Sequence, residues 1–292
     1  MPRAPNSDGY ITLAVLVMAG LLASVVSALF VVAHPALGLA RVGADQVAAE
    51  ALVDAGLNAA GYLLFAAEQP ASAVNGTTLR FRGGAVRLVV ADESGRIDLN
   101  AAEPAILAGL FEAAGGKSLD SDAFAARVVD WRDPDEERSE GGAELPDYES
   151  ADLDYGPSNG PFRSVGDLRF LLGLSRDDLA RLQSFVTVFS ASKAIDPFSA
   201  SETVLRAVPD LSAADARRIV EARQAGPSGE DAVASLIAPY AAYFSGDAPR
   251  VYRVGIGARL ASGFSAKAEA VVMAPADESA DFRIVAWSEV AP

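Results

Sequence analysis

Between Tyr10 and Ala33 the chain runs for 24 residues without a charge, and besides the terminal Tyr10 only Thr12, Ser24 and Ser27 carry polar side chains. Coiled as an α-helix, such a stretch is roughly 36 Å long, enough to cross a hydrocarbon core of about 30 Å with some tilt. The three hydroxyls can bond back to carbonyls of their own helix, so no polar group need face lipid. The segment reads as a membrane helix. Nine residues precede it, Met1–Gly9, with one base (Arg3) and one acid (Asp8). A secretory signal has a shorter apolar run and a small-residue cleavage site just after it, whereas here His34-Pro35 follows a run that is too long. Two readings fit: an uncleaved N-terminal anchor, or a leader, residues 1–9, removed by a cut between Gly9 and Tyr10.

Composition bounds what the rest can do. The formal net charge is −15 and the isoelectric point near 4.5, which argues against a nucleic-acid or anionic-membrane surface and permits a bound cation or a basic partner. With no cysteine, the chain has no disulfide framework, thiolate metal site or thiol nucleophile. Its single histidine, His34, stands at the membrane exit. No G-x-S-x-G, H-E-x-x-H or glycine-rich phosphate loop is present, so an enzyme is not expected. Arg3 and Arg41 flank the apolar run too evenly for charge to set its orientation.

Beyond Ala33 the pattern turns amphipathic. Val42, Val47, Leu52, Leu57, Leu63 and Leu64 recur near helical spacing with Arg41, Asp45, Gln46, Glu50 and Asp54 between them, so one helix is expected to run from membrane into solution, kinked at His34-Pro35 and ending at Gln69-Pro70. Thr77–Arg82 and Ala85–Ala91 then read as a hairpin turned by Gly83-Gly84. Three more extended runs follow late: Arg250–Leu260, Phe264–Ala274 and Phe282–Val290. Gly255 and Gly257 in the first of them suggest a bulge or a close approach. Helical patterns and most acidic residues occupy the middle. The expected fold is α+β: a long N-terminal membrane helix over residues 10–34, its continuation and first strands over residues 35–99, a mainly helical insert over 100–248, and the remaining strands of an antiparallel sheet over 249–292.

The loop from Asp130 to Asp154 holds eleven acids in 25 residues against Arg132 and Arg138. Carboxylates that converge repel unless a cation joins them. Calcium accepts irregular oxygen ligands, and Asp133-x-Asp135 spaces two carboxylates toward one ion, with Asp130 beside them and Glu144 and Asp147 able to close the shell. A solvated acidic loop is the other reading of the same residues.

A short leader ending in glycine, an apolar-then-amphipathic helix and a following antiparallel sheet resemble the type IV pilin-like proteins. The blocks D-E-S-G-R-I-D-L-N at Asp92–Asn100, V-D-W-R-D-P-D at Val129–Asp135, N-G-P-F at Asn159–Phe162 and L-R-F at Leu168–Phe170 narrow this. They are similar to the K-type minor pseudopilin of the type II secretion system, the general secretion pathway protein K family. The resemblance implies cleavage after Gly9 by prepilin peptidase and methylation of Tyr10. It also implies calcium in the acidic insert, and assembly with I- and J-type minor pseudopilins and the inner-membrane secretion platform. The implied location is a single pass through the inner membrane with the C-terminal part periplasmic. Position five of the mature chain, Ala14, lacks the glutamate common in the wider family, whose role is to neutralise a neighbour's buried amine. A subunit with nothing stacked above it can lack that carboxylate, so the resemblance implies a tip position that starts pseudopilus assembly and supports export across the outer membrane.

Ser199–Pro209 followed by Ser212–Arg223 resembles a helix-hairpin-helix, with Ser201 and Ser212 as N-caps and a weaker echo over Asn100–Ala113. DNA-gripping hairpins offer a Gly-x-Gly turn and basic neighbours. Here the turn is Pro209-Asp210-Leu211-Ser212 in an acidic chain, so nucleic acid is not expected. A membrane-anchored receptor built on these hairpins, for DNA uptake or other binding, stands as the alternative function.

Overall fold

The computed structural model describes residues 8–246, 250–275 and 281–290, and residues 1–7 of the expected leader lie outside them. In chain order the elements are α1 (Asp8–Gly61), α2 (Ala71–Val74), β1 (Thr78–Phe81), β2 (Gly84–Asp92), β3 (Ile97–Asp98), α3 (Pro104–Ala113), α4 (Ser121–Arg132), α5 (Leu145–Ser150), α6 (Arg176–Leu182), β4 (Val186–Thr187), α7 (Glu202–Leu205), α8 (Ala213–Arg223), α9 (Pro227–Ile237), β5 (Val251–Leu260), β6 (Ser265–Met273) and β7 (Arg283–Val290).

The long helix changes character along its length. Residues 10–28 are exposed throughout, and that apolar span is long enough to cross a membrane. From Ala49 onward Leu52, Val53, Leu57, Ala60 and Leu64 are buried, at the three- and four-residue spacing that puts them on one face. The helix passes His34-Pro35 unbroken; a proline removes one intrahelical bond, and here the neighbouring turns carry the helix across. A π turn at Tyr62–Ala66 and Glu68 at a φ of 48° end it before Pro70.

The buried face of α1 lies over β2, β5 and β6. These strands belong to a five-stranded antiparallel sheet of order β1-β2-β5-β6-β7, so the early hairpin and the late strands meet as the alternating patterns require. Val86, Leu88 and Val90 of β2, Val254, Ile256 and Ala258 of β5, and Ala268, Ala270 and Val272 of β6 point to the helix with period two. Close approach explains Gly56: a Cβ there would sit 2.6 Å from the Val86 side chain.

Two local expectations are corrected. The hairpin turn is Arg82-Gly83, with Gly83 at a φ of 102°, while Gly84 already pairs with Phe81 in β2. That strand position must be glycine, because a Cβ would stand 2.5 Å from the Arg259 carbonyl oxygen. Gly255 and Gly257 form neither a bulge nor a close approach: the register runs through both, and a Cβ would meet only ordinary contacts. The irregular register falls instead at Val271/Val272, opposite β7.

Everything from β3 to α9 is inserted between β2 and β5 and has its own core, which includes Leu107, Phe111, Phe124, Val128, Leu168, Leu182, Leu205 and Ile219. Phe111 and Phe124 join α3 to α4 with ring centroids 4.7 Å apart. Ser201 and Ser212 do cap α7 and α8, accepting from the amides of Val204 and Asp215. Where the insert meets the sheet, the fully buried Glu93 accepts from Arg253 Nε at 2.8 Å and from the Thr187 hydroxyl, and Arg253 reaches on to Glu269 at 2.6 Å.

Candidate functional site

The quoted sequence blocks, far apart in the chain, fold into one structure. Asp120 caps α4 by accepting from Asp122 N–H, and the helix carries Asp130, Trp131 and Arg132 on its last turn. Arg132 donates to the carbonyls of Leu99 and Ala102 at 2.5 and 2.7 Å, tying α4 to the segment after β3. Asn100 exchanges two hydrogen bonds with the Phe162 backbone, at 2.7 and 3.0 Å. Trp131 stacks on Phe162 and Phe170, with centroids 5.5 and 6.4 Å away. The D-E-S-G-R-I-D-L-N, D-W-R-D, N-G-P-F and L-R-F blocks are thus one packed frame, and the acidic loop hangs from it.

On that frame Asp130 is buried, and both its carboxylate oxygens face the Ser139 N–H at 3.3 Å. Gly142 is required here, because a Cβ would stand 1.9 Å from Asp130 Oδ2. Asp147 accepts from Glu144 N–H at 2.9 Å and pairs with Arg138 at 2.9 Å, fixing the first turn of α5. Both oxygens of the buried Glu144, Oδ1 of Asp133 and Oδ1 of Asn159 are enclosed without a hydrogen-bond partner. An enclosed oxygen with no donor costs free energy, and a hard cation is one group that satisfies several together.

The electrostatics agree. Burial raises the Glu144 carboxyl above its ordinary range, and Asp130, Asp133, Asp135 and Glu136 push it further. Asp133 is raised by burial and then by Asp135 and Asp130, against a smaller pull from Arg132. Asp147 is held low, first by the Glu144 N–H and then by Arg138, over the opposing effect of burial. Of the residues expected at a cation site, Asp130, Asp133, Asp135 and Glu144 therefore act on one another, while Asp147 has committed its oxygens to a helix start and an arginine. Among the described residues no group of three or more carboxylates or histidines is arranged to hold a metal ion. Asn159 was not among the residues expected from sequence as ligands. Its signal was a place in the N-G-P-F block, and its φ of 45° is a left-handed conformation that asparagine tolerates better than most residues.

Of the processing residues, Gly9 and Tyr10 lie in the first turns of α1, with Tyr10 exposed.

Comparison with known proteins matches residues 86–191 to the family model of the type II secretion system, protein K. The matched residues are 106 of the chain's 292 and are similar to that protein K domain. All the blocks of the packed frame fall in this span. A curated relative, the type II secretion system protein K of Pseudomonas aeruginosa, is 32% identical over 151 residues, covering 48% of this chain and 45% of that protein. The match thus spans about half the length of the curated relative. In overall fold the chain is similar to one in the crystal structure of the GspK-GspI-GspJ complex from the enterotoxigenic Escherichia coli Type 2 Secretion System. The TM-score is 0.62 at 14% identity, over 88% of this chain and 99% of that one. That likeness is one of fold, shared over most of the chain.

Proposed function

We propose that the chain works as a K-type minor pseudopilin: a structural subunit at the tip of a type II secretion pseudopilus. There it starts assembly with I- and J-type partners and supports export of folded proteins across the outer membrane. The observation that carries this reading is the single helix α1, exposed and apolar over residues 10–28 and then buried against an antiparallel sheet from Ala49 on. A helix so built can be held in a membrane and later packed among like helices without refolding the domain it carries. Ala14 places no carboxylate on this stem, consistent with a subunit that has no neighbour above it.

In this reading prepilin peptidase cuts between Gly9 and Tyr10 and the new terminus is methylated. The helix sits in the inner membrane beside the secretion platform, and the insert and sheet are periplasmic. Calcium belongs to the insert: Asp133, Glu144 and Asn159 supply the oxygens that lack partners, with Asp130 and Asp135 adding negative charge. When bound, it would neutralise the acidic loop and hold it to the frame. The DNA-receptor alternative gains little support. Asp210 occupies the hairpin turn, and Arg217, Arg218 and Arg223 are engaged with Glu202, Asp215 and the carbonyls of Pro197 and Ala200.

The test is expression with prepilin peptidase and the I- and J-type subunits. The expected product is a chain beginning at N-methylated Tyr10 that co-purifies with both partners at low copy number. An intact Met1 start, failure to associate, or many copies along a shaft would each refute the reading.

A further inference from the structure

Among the described residues α1 leaves part of the sheet uncovered. It lies over β2, β5 and β6, while β7, one of the two edge strands, continues the sheet beyond it. Between the helix and β7 runs a groove of about 640 Å³. Its floor is apolar: Ala266 and Ala268 of β6, and on β7 Trp287, which pairs with Ala270 and remains 43% exposed. Its rims are acidic, with Glu50 and Asp54 one turn apart on α1 and Glu289 on β7, against one lysine, Lys267. Val47 stands on the same stripe of α1 as Glu50 and Asp54, at three- and seven-residue spacing, and is 66% exposed.

We infer that this groove is a docking site for an amphipathic helix of another protein, one that lays apolar side chains along Trp287 and the β6 alanines and sets lysines or arginines against Glu50, Asp54 and Glu289. Three features select this occupant. The groove is bounded by a helix on one side and is lined by small alanines, which let a second helix approach closely. The rim charge asks for cations, and burying Trp287 with neutralised rims combines the anchor and the complementarity that govern interface strength. A second copy of this chain is disfavoured, because its own stem brings Asp45, Glu50 and Asp54 with Arg41 alone in opposition, in a chain of net charge −15. That the partner is a sister pseudopilin rests on the function proposed above; the chemistry of the groove does not.

The experiment uses the full chain in a neutral detergent and two synthetic helical peptides of equal length. Both carry leucines on one face, with lysines on the other in the first peptide and glutamates in the second. Trp287 fluorescence reports the binding, with Trp287→Phe subtracting the signal of Trp131. The lysine peptide is expected to shift Trp287 emission to the blue and to bind at least tenfold more tightly than the glutamate peptide, more weakly as salt rises. Glu50→Lys with Asp54→Lys, both exposed changes whose folding is checked by circular dichroism, should reverse that preference. Equal binding of both peptides, no blue shift with either, or an unchanged preference in the doubly reversed chain would overturn the inference. If the doubly reversed chain shows the reversal yet the sister subunits never associate with the wild type, the groove stands and the pseudopilin reading falls. If they associate with both chains equally, the pseudopilin reading stands and the sister subunits are not the helix this groove takes.

Discussion

At the level of single residues, the oxygens of Asp133, Glu144 and Asn159 stand apart from the rest of the acidic loop and its frame. These groups are enclosed and unpaired, whereas Asp147, equally acidic in sequence, is paired on both oxygens. If calcium is the group they await, adding it should raise the melting temperature of the protein. Because a bound ligand stabilises by an amount set by its concentration over Kd, a hundredfold excess is worth about 2.7 kcal/mol. Asp133→Ala with Asp135→Ala should abolish the rise, and Asp147→Ala should lower stability without abolishing it. A wild type whose melting is indifferent to calcium would dispose of the cation site. The sequence narrowed eleven acids to Asp130, Asp133, Asp135, Glu144 and Asp147, and it could not separate these five because that depends on which oxygens find a donor once the chain has folded.

At the scale of elements, the insert is assembled by side chains that satisfy the ends and turns of its helices. Asp178 on α6 is the clearest case. It is 2% exposed and accepts from the backbone of Lys117 and Ser118 and from the Ser118 hydroxyl at 2.6 to 3.0 Å, fastening the loop between α3 and α4 to α6. Burial by itself would raise this carboxyl, but the Ser118 and Lys117 bonds outweigh it and hold it below the ordinary range. A group whose folded value is depressed contributes stability above its unfolded value, near 3.9, and loses it as the pH falls through the lower, folded value. Acid titration of the wild type should therefore show a stability decrement below about pH 4. In Asp178→Asn that decrement should shrink, with a loss at neutral pH of about 1–3 kcal/mol from the weakened or unmet donors. Identical acid profiles in the two proteins would show that Asp178 does not carry this linkage. Helix ends of this kind were partly legible: Ser201 and Ser212 follow from local capping chemistry. Asp178 was not, because its donors lie some sixty residues away.

For the molecule as a whole, the question is how an insert with its own core is held on the sheet. Glu93, at the end of β2, is enclosed between the Arg253 guanidinium and the Thr187 hydroxyl, and Arg96 stands 3.6 Å from it. One cluster thus joins the sheet strand β5 to the insert strand β4. Removing Arg253 leaves the buried Glu93 with Arg96 at 3.6 Å and the Thr187 hydroxyl, so Arg253→Met should cost about 1.5–3 kcal/mol in urea denaturation, the range for a hydrogen bond to a charged group. The double variant, Arg253→Met with Glu93→Gln, should be less damaged than the sum of its parts. Strict additivity would mean that the two side chains are not coupled.

Read by itself, the sequence determined the membrane-length helix, its amphipathic continuation, the hairpin and the late strands, the helical middle and two N-caps. It also carried the blocks that resemble protein K. Each of these is written in hydrophobic period, in residues with few backbone choices, or in short motifs, all of which act over a few positions. Tertiary structure alone decided that the blocks close into one frame around Trp131, which acids lack donors, that Gly84 belongs to a strand, and that β7 lies uncovered beside α1. Those outcomes depend on distances between residues far apart in the chain, and local chemistry does not encode such distances until both cores have formed.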